Sequence, residues 1–266
     1  MNASVTATVE PLVRRERDAR GVVTLTLNRP QAFNALSEDM LSALQTELDA
    51  LAADEGARVL VVAATGKAFC AGHDLREMRA QPALTYYQRL FAQCSRMMLT
   101  LRGLPIPVIA RVQGVAAAAG CQLVAQCDLA VASSEARFAV SGVNLGLFCS
   151  TPAVPLSRNV PAKQAFEMLV TGEFIDAEAA LARGLVNRVA PPGRLDAEID
   201  RLLASILAKP RVAIALGKEL FYRQAELGIE AAYAAAGQTM ACNMMEAAAL
   251  EGVQAFIEKR APRWAP

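Results

Sequence analysis

The stretch Pro107-Val108-Ile109-Ala110-Arg111-Val112-Gln113-Gly114-Val115-Ala116-Ala117-Ala118-Ala119-Gly120-Cys121-Gln122-Leu123 changes character in the middle. Pro105–Val112 reads as a short, nearly continuous apolar strand, the pattern of a strand covered on both faces. Gly114 then opens a run of small residues that leads into a helix around Gly120–Gln126. The same alternation extends outward in both directions. Upstream, Val59–Ala64 is a second continuous apolar strand, followed by a loop over Gly66–Gly72; downstream, Asp128–Ala132 is a third such strand. Nearer the amino terminus, Gly21–Leu27 alternates like a half-buried strand and stops at the turn signal Asn28-Arg29-Pro30. Ser37 offers an N-cap, with Glu38 and Asp39 favourable in the first turn. Met40, Leu41, Leu44, Leu48 and Leu51 recur at helical spacing, which predicts an amphipathic helix over Ser37–Ala53. Strand, loop and helix recur to about residue 190. Parallel strands need crossover connections, so the pattern predicts an α/β core with helices laid against strands.

After Pro191-Pro192 every segment from Leu195 onward reads as helix: Leu203–Leu207, Val212–Gln224, Ala231–Met245 and Ala247–Phe256. Such a tail has more apolar surface than it can cover alone. Met240, Met244, Met245, Leu250, Val253 and Phe256 point to packing against the core or a second subunit. The organisation expected is a core over residues 1–192 and a helical region over residues 193–266 that does not fold independently.

Composition limits the functional classes. Lys plus Arg number 27 against 26 Asp plus Glu, a formal charge of +1 over 266 residues. That balance supplies no basic stripe for neutralising phosphates and argues against nucleic-acid binding. No apolar run reaches the roughly 18 residues that span a bilayer, so no membrane partner is expected. The first twenty residues contain Arg14, Arg15, Arg17 and Arg20 but also Glu10, Glu16 and Asp18. Transit peptides are poor in acids, and no apolar signal core is present. The six cysteines (Cys70, Cys94, Cys121, Cys127, Cys149 and Cys242) form no CxxC pair. With a single histidine there is no zinc set. The expectation is a cytoplasmic protein with reduced thiols, no metal and no separate cofactor.

Two segments combine small residues with strand-to-helix transitions: Lys67-Ala68-Phe69-Cys70-Ala71-Gly72-His73-Asp74-Leu75, and Gly114 to Leu123. Small residues let a ligand approach the backbone. Amides at a helix start lack intrahelical acceptors and lie at the positive end of the helix dipole. Two of them aimed at one point would hold a developing oxyanion; tight helix-to-sheet packing is the other reading of either segment alone.

Together these segments resemble the enoyl-CoA hydratase/isomerase (crotonase) superfamily. The order of matching elements covers nearly the whole chain. It runs from Leu27-Asn28-Arg29-Pro30 and Asn34-Ala35-Leu36 through Ala68–Asp74, Pro107–Ala110 and Gly120-Cys121 to Cys127-Asp128. Leu169–Gly172, Gly184-Leu185-Val186 and Phe256–Arg260 complete it. Gly142–Pro152 is most similar to the enoyl-CoA hydratase domain-containing subgroup. The resemblance implies a ββα spiral core and a C-terminal helical trimerisation region that builds a homotrimer or a dimer of trimers. It also implies an acyl-CoA thioester whose carbonyl sits between the backbone amides of His73 and Ala119. Ala71, Gly72, His73, Asp74, Leu75 and Arg76 would line the adenine and pantetheine site, Ala118, Gly142 and Cys149 the acyl site. Arg29 would lie near the CoA phosphates, and Lys259 would reach a neighbour's CoA. Coenzyme A enters as part of the substrate, and lyase or isomerase chemistry follows.

One departure bears on the chemistry. Adding water to an unsaturated thioester needs a base for water and an acid for the α-carbon. Where the hydratases carry two carboxylates, this chain has Gln122 and Gly142. Positioned proton transfer typically contributes roughly 10²–10⁴-fold, so ordinary hydration is expected to be weak or absent, with Gln122 able only to position water. Two alternatives stand beside this reading: a decarboxylase or other thioester enzyme using His73, and a non-catalytic acyl-CoA binder or scaffold. Ala118-Ala119 stands where the family carries glycines; alanine keeps its N–H, so the donor is expected to survive, while a positive φ there would strain the residue.

Overall fold

The computed structural model describes residues 10–264. Part of the amino-terminal charge reading, and the outer ends of the two proposed regions, lie outside those residues. In chain order the first half comprises β1 (Val13–Arg17), β2 (Val22–Leu27), α1 (Glu38–Ala52), β3 (Val59–Ala64), β4 (Ala68–Cys70), α2 (Leu75–Ala80) and α3 (Leu84–Gly103). Next come β5 (Val108–Val112), β6 (Val115–Ala117), α4 (Ala119–Gln126), β7 (Leu129–Ser133), β8 (Arg137–Ala139), α5 (Ser150–Asn159) and α6 (Ala162–Thr171). The chain ends with β9 (Ile175–Asp176), α7 (Ala177–Ala182), β10 (Arg188–Ala190), α8 (Leu195–Leu207), α9 (Arg211–Gln224), α10 (Ile229–Met244) and α11 (Ala247–Ile257).

Successive turns of the chain each lay one strand in two different sheets. The larger sheet runs β1-β2-β3-β5-β7-β10, parallel throughout except for the antiparallel edge pair β1–β2. The smaller runs β4-β6-β8-β9, with β9 antiparallel. This is the α/β spiral expected from the motif order.

The continuous apolar strands are explained by their two neighbours. Leu60 and Val62 of β3 point into the main core, while Val59 and Val61 lie on the other face against Leu195, Ile199, Leu202 and Leu203 of α8. Ser37 caps α1 as read from sequence, its Oγ accepting the Met40 amide at 3.1 Å. The predicted loop over Gly66–Gly72 is corrected, because it contains β4. That strand has only three residues and exists through its pairing with β6, 45 or more positions along the chain. β1 went unread because only Val13 of its five residues is buried.

The C-terminal helices are present, and α9 to α11 bury almost nothing in a single chain: no residue of α9, Ala232 of α10 and Ala255 of α11. Met245 is 78% exposed and Phe256 85%. Among the described residues no helix is long and apolar enough to cross a membrane.

The helical region is pinned to the core through Asp128. Its Oδ2 accepts from the Val108 amide and from Lys218 Nζ, both at 2.7 Å, and its Oδ1 accepts from the Tyr222 hydroxyl at 2.6 Å. Lys218 Nζ also donates to the Ile106 carbonyl at 2.9 Å. Burial pulls the Lys218 pKa down against the opposing pull of Asp128, and burial raises that of Tyr222. Removing one partner of a buried pair strands the other charge. Asp128→Ala is therefore expected to lose about 3–5 kcal/mol in urea unfolding, and adding Lys218→Met should recover part of the loss.

Candidate functional site

Asn34 organises the approach to the site. It is fully buried with a left-handed φ of 54°. Its Nδ2 donates to the carbonyls of Thr65 (2.8 Å) and Ala68 (2.9 Å), and its Oδ1 accepts the Arg29 amide at 2.8 Å. This clamps the 29–36 loop along β4, so that Ala71 N donates to Phe33 O (3.0 Å) and Leu36 N to Gly72 O (2.8 Å). The next amide engaged is Asp74 N, on Leu36 O at 3.4 Å. The His73 N–H between them has no partner among the described residues.

The second amide comes from α4. Gly120 lies so close to the end of β4 that a Cβ there would fall 2.0 Å from the Cys70 carbonyl oxygen. Only glycine lets the helix begin at that point. Ala119 is its first residue, so its N–H has no intrahelical acceptor. The two segments meet: the Cβ position of Gly72 lies 3.0 Å from Ala118 Cβ and 3.4 Å from Ala119 N. The strain anticipated for the alanine pair falls on Ala118, at φ 49° and ψ −118°, while Ala119 is helical. The donor survives and the residue before it carries the cost.

These elements border a cavity of about 390 Å³. Of the sequence-predicted residues, Ala71, His73, Leu75, Ala118, Ala119, Gly142 and Cys149 line it. Met78, Phe91, Leu145, Leu147, Phe148 and Pro152 supply further apolar wall, with Ser141, Ser150 and Thr151 adding polar edges. Sequence reasoning missed Phe91 because the helix α3 that carries it had not been read, although Tyr86, Leu90, Cys94, Met97, Met98 and Leu101 are its buried residues and recur at helical spacing.

Gly72, Asp74, Arg76, Gln122, Arg29 and Lys259 do not line the cavity. Asp74 caps α2, accepting from the amides of Arg76 (3.0 Å) and Glu77 (3.4 Å), and pairs with Arg29 Nη1 at 2.8 Å. Burial pulls its pKa up, but the Arg29 hydrogen bond and the two amides outweigh this and leave the carboxyl below its usual range. Arg29 is thus held by an internal carboxylate. Lys259 is exposed, beyond the end of α11, with φ 55°. Gln122 is 4% exposed, and its Oε1 has no hydrogen-bond partner among the described residues.

The cavity holds no carboxylate, and its one basic side chain is His73. The Nδ1 of His73 lies 3.4 Å from the Leu36 carbonyl, the ring meets Phe91 edge-on at 5.5 Å, and Nε2 is buried without a partner. Burial lowers its pKa, opposed by the Leu36 contact, so the ring rests neutral. Cys149 Sγ accepts the Gly142 amide at 3.2 Å, and burial raises its pKa against that contact. Burial also pushes Cys70 and Cys121 up to about 12. These thiols stay protonated.

Residues 17–266 match the family model described as enoyl-CoA hydratase/isomerase. The chain belongs to that family. It is 44% identical to the rat mitochondrial enoyl-CoA hydratase domain-containing protein 3 (Rattus norvegicus) over 255 residues, 96% of this chain and 85% of the relative. The crystal structure of the human domain-containing protein 3 superimposes with a TM-score of 0.91 at 42% identity, covering 95% of this chain and 100% of that one. A Mycobacterium smegmatis enoyl-CoA hydratase structure reaches a TM-score of 0.95 at 66% identity, covering 96% and 99%. The family and its domain-containing subgroup are as the motifs implied. The cytoplasmic expectation is corrected: the curated relatives of this subgroup are named mitochondrial. Dispersed thiols and scattered acids in the first twenty residues did not discriminate between these compartments.

Ala118→Gly should relieve a strain that costs on the order of 1–3 kcal/mol, partly offset by the greater freedom of glycine in the unfolded chain. A net gain of about 1 kcal/mol in urea unfolding is expected. The imidazole of His73 should titrate by NMR below its ordinary 6.5. Because the folded pKa lies below the unfolded one, the unfolded state takes up the proton first. Stability is therefore fully present above about pH 6.5 and falls as the pH drops toward the folded pKa, and His73→Gln should flatten that part of the profile.

Proposed function

We propose that this protein binds an acyl-CoA thioester with its carbonyl oxygen between the N–H groups of His73 and Ala119, and stabilises the thioester enolate. What supports this reading is that His73 and Ala119, whose amides have no backbone partner among the described residues, both line one largely apolar cavity in a chain of the enoyl-CoA hydratase/isomerase family. In a largely apolar site two fixed donors interact with an oxyanion more strongly than they would in water. Ala71 to Arg76 would run along the pantetheine and adenine. Coenzyme A arrives with the substrate, and no further cofactor is invoked. Arg29 would meet a phosphate only by giving up part of its pairing with Asp74, and Lys259 would serve a neighbouring copy. The apolar faces left open on α10 and α11 support assembly into a trimer or a dimer of trimers.

Hydration is not the reaction this site favours. Gln122 has no titrating group, and Gly142 has neither a side chain nor room for one. A Cβ at 142 would fall 2.4 Å from Leu147 O and 2.8 Å from Cys149 Sγ. A decarboxylase is less well supported, since no Lys or Arg lines the cavity to hold a substrate carboxylate.

Calorimetry with crotonyl-CoA and with its carbonyl-free thioether analogue tests the reading. The thioester is expected to bind at least tenfold more tightly, and Ala119→Pro, which deletes one N–H, should abolish the difference. Hydration of crotonyl-CoA should run at least about 10²-fold below that of a two-carboxylate relative assayed alongside. Equal affinity for ester and ether would overturn the amide assignment, and ordinary hydration turnover would overturn the reading of Gln122 and Gly142.

A further inference from the structure

The segment over residues 142–149 borders the cavity with three large apolar residues and leaves them half open. Leu145, Leu147 and Phe148 line the space yet remain 67%, 47% and 43% exposed. They share the segment with Gly142 and Cys149, the acyl wall of the reading above, while Met78 of α2 and Phe91 of α3 border the same space. Exposed apolar surface gathered at one cavity marks the groove of an apolar ligand. Charge is missing in equal measure. No Lys, Arg, Asp or Glu borders the cavity. Arg29, on the neighbouring loop, is already bound to Asp74 at 2.8 Å. The hydroxyls of Ser141, Ser150 and Thr151 are neutral.

A helix N-terminus could stand in for a cation, because its free amides attract anions. α5 starts at this cavity, with Ser150, Thr151 and Pro152 on the border. Its sequence disarms that end. Ser150 N donates to Phe148 O at 2.8 Å, Pro152 has no N–H, and Ala153 N donates to Cys149 O at 3.0 Å. Only the Thr151 N–H is left. The other helix start at the cavity, Ala119, belongs to the thioester oxygen in the reading above. A carboxylate carried into this space would lose its water and gain no counter-charge, which is costly. We infer that the acyl site takes uncharged hydrocarbon acyl groups and turns away acyl groups that end in a carboxylate, with Leu145, Leu147 and Phe148 as the residues that set this choice. The inference rests on the acyl-CoA reading above. It adds the class of acyl group, which the thioester-holding amides do not decide: they meet the same carbonyl oxygen whatever chain follows it.

Calorimetry on the full chain compares isoheptanoyl-CoA with glutaryl-CoA, in which a carboxylate replaces an isopropyl group of the same shape. Isoheptanoyl-CoA is expected to bind at least about 10²-fold more tightly. Leu145→Arg places a guanidinium at the exposed rim and should raise the ratio of glutaryl to isoheptanoyl affinity at least about tenfold. Phe148→Ser should weaken isoheptanoyl-CoA by about tenfold and leave glutaryl-CoA nearly unchanged. Equal affinity of the wild-type protein for the two thioesters, or a ratio that neither variant moves, would overturn the inference and leave the binding reading intact. Failure of the wild-type protein to bind either thioester would instead overturn the binding reading.

Discussion

The site depends on the contact between two stretches of main chain, the end of β4 and the start of α4. Neither the cavity nor its donors exist without it. At Gly120 the two backbones are too close for any side chain, and the Asn34 amide clamps the neighbouring loop onto the same strand. Main-chain donors suit this task because secondary structure already fixes them. They need no reorganisation when charge appears on a ligand, and no side-chain entropy is lost in aiming them. The cost is visible one residue away, where Ala118 takes a backbone conformation that glycine adopts freely.

Around that contact the protein has removed charge. Thiols near the cavity are held protonated by burial, the imidazole is held neutral, and the carboxylate of Asp74, next to His73 in the chain, is engaged by Arg29 and the amides of α2. Family membership therefore fixes the thioester-holding frame more firmly than the reaction carried out on it. On the function proposed above, the same frame with two carboxylates supports addition of water, whereas Gln122 and a sterically closed Gly142 leave it the binding and polarisation of a thioester.

The spiral core and the helical region are joined by charge as well as by apolar contact. Asp128 gathers a backbone amide, an ammonium and a phenol at the point where β5 and β7 begin, which ties α9 to the core. The helices beyond it carry their apolar side chains outward. A single chain thus presents a satisfied core and an unsatisfied appendage, the division of labour expected when the appendage meets other copies.

The sequence alone determined the elements whose side-chain pattern is decided locally. The capped amphipathic helix at Ser37 and the continuous apolar strands at Val59 and Pro107 are of this kind, since a period or a cap is written in adjacent residues. The motif order then carried the family. Tertiary structure decided whatever depends on residues far apart. It made a strand of Ala68–Cys70 by pairing it with β6, tied Arg29 to Asp74, buried the Gln122 Oε1 without a partner among the described residues, and filled the space at Gly142 with the sulfur of Cys149. A three-residue strand has no period of its own. Likewise, the room available to a side chain is fixed by atoms that the chain brings back from tens of residues away.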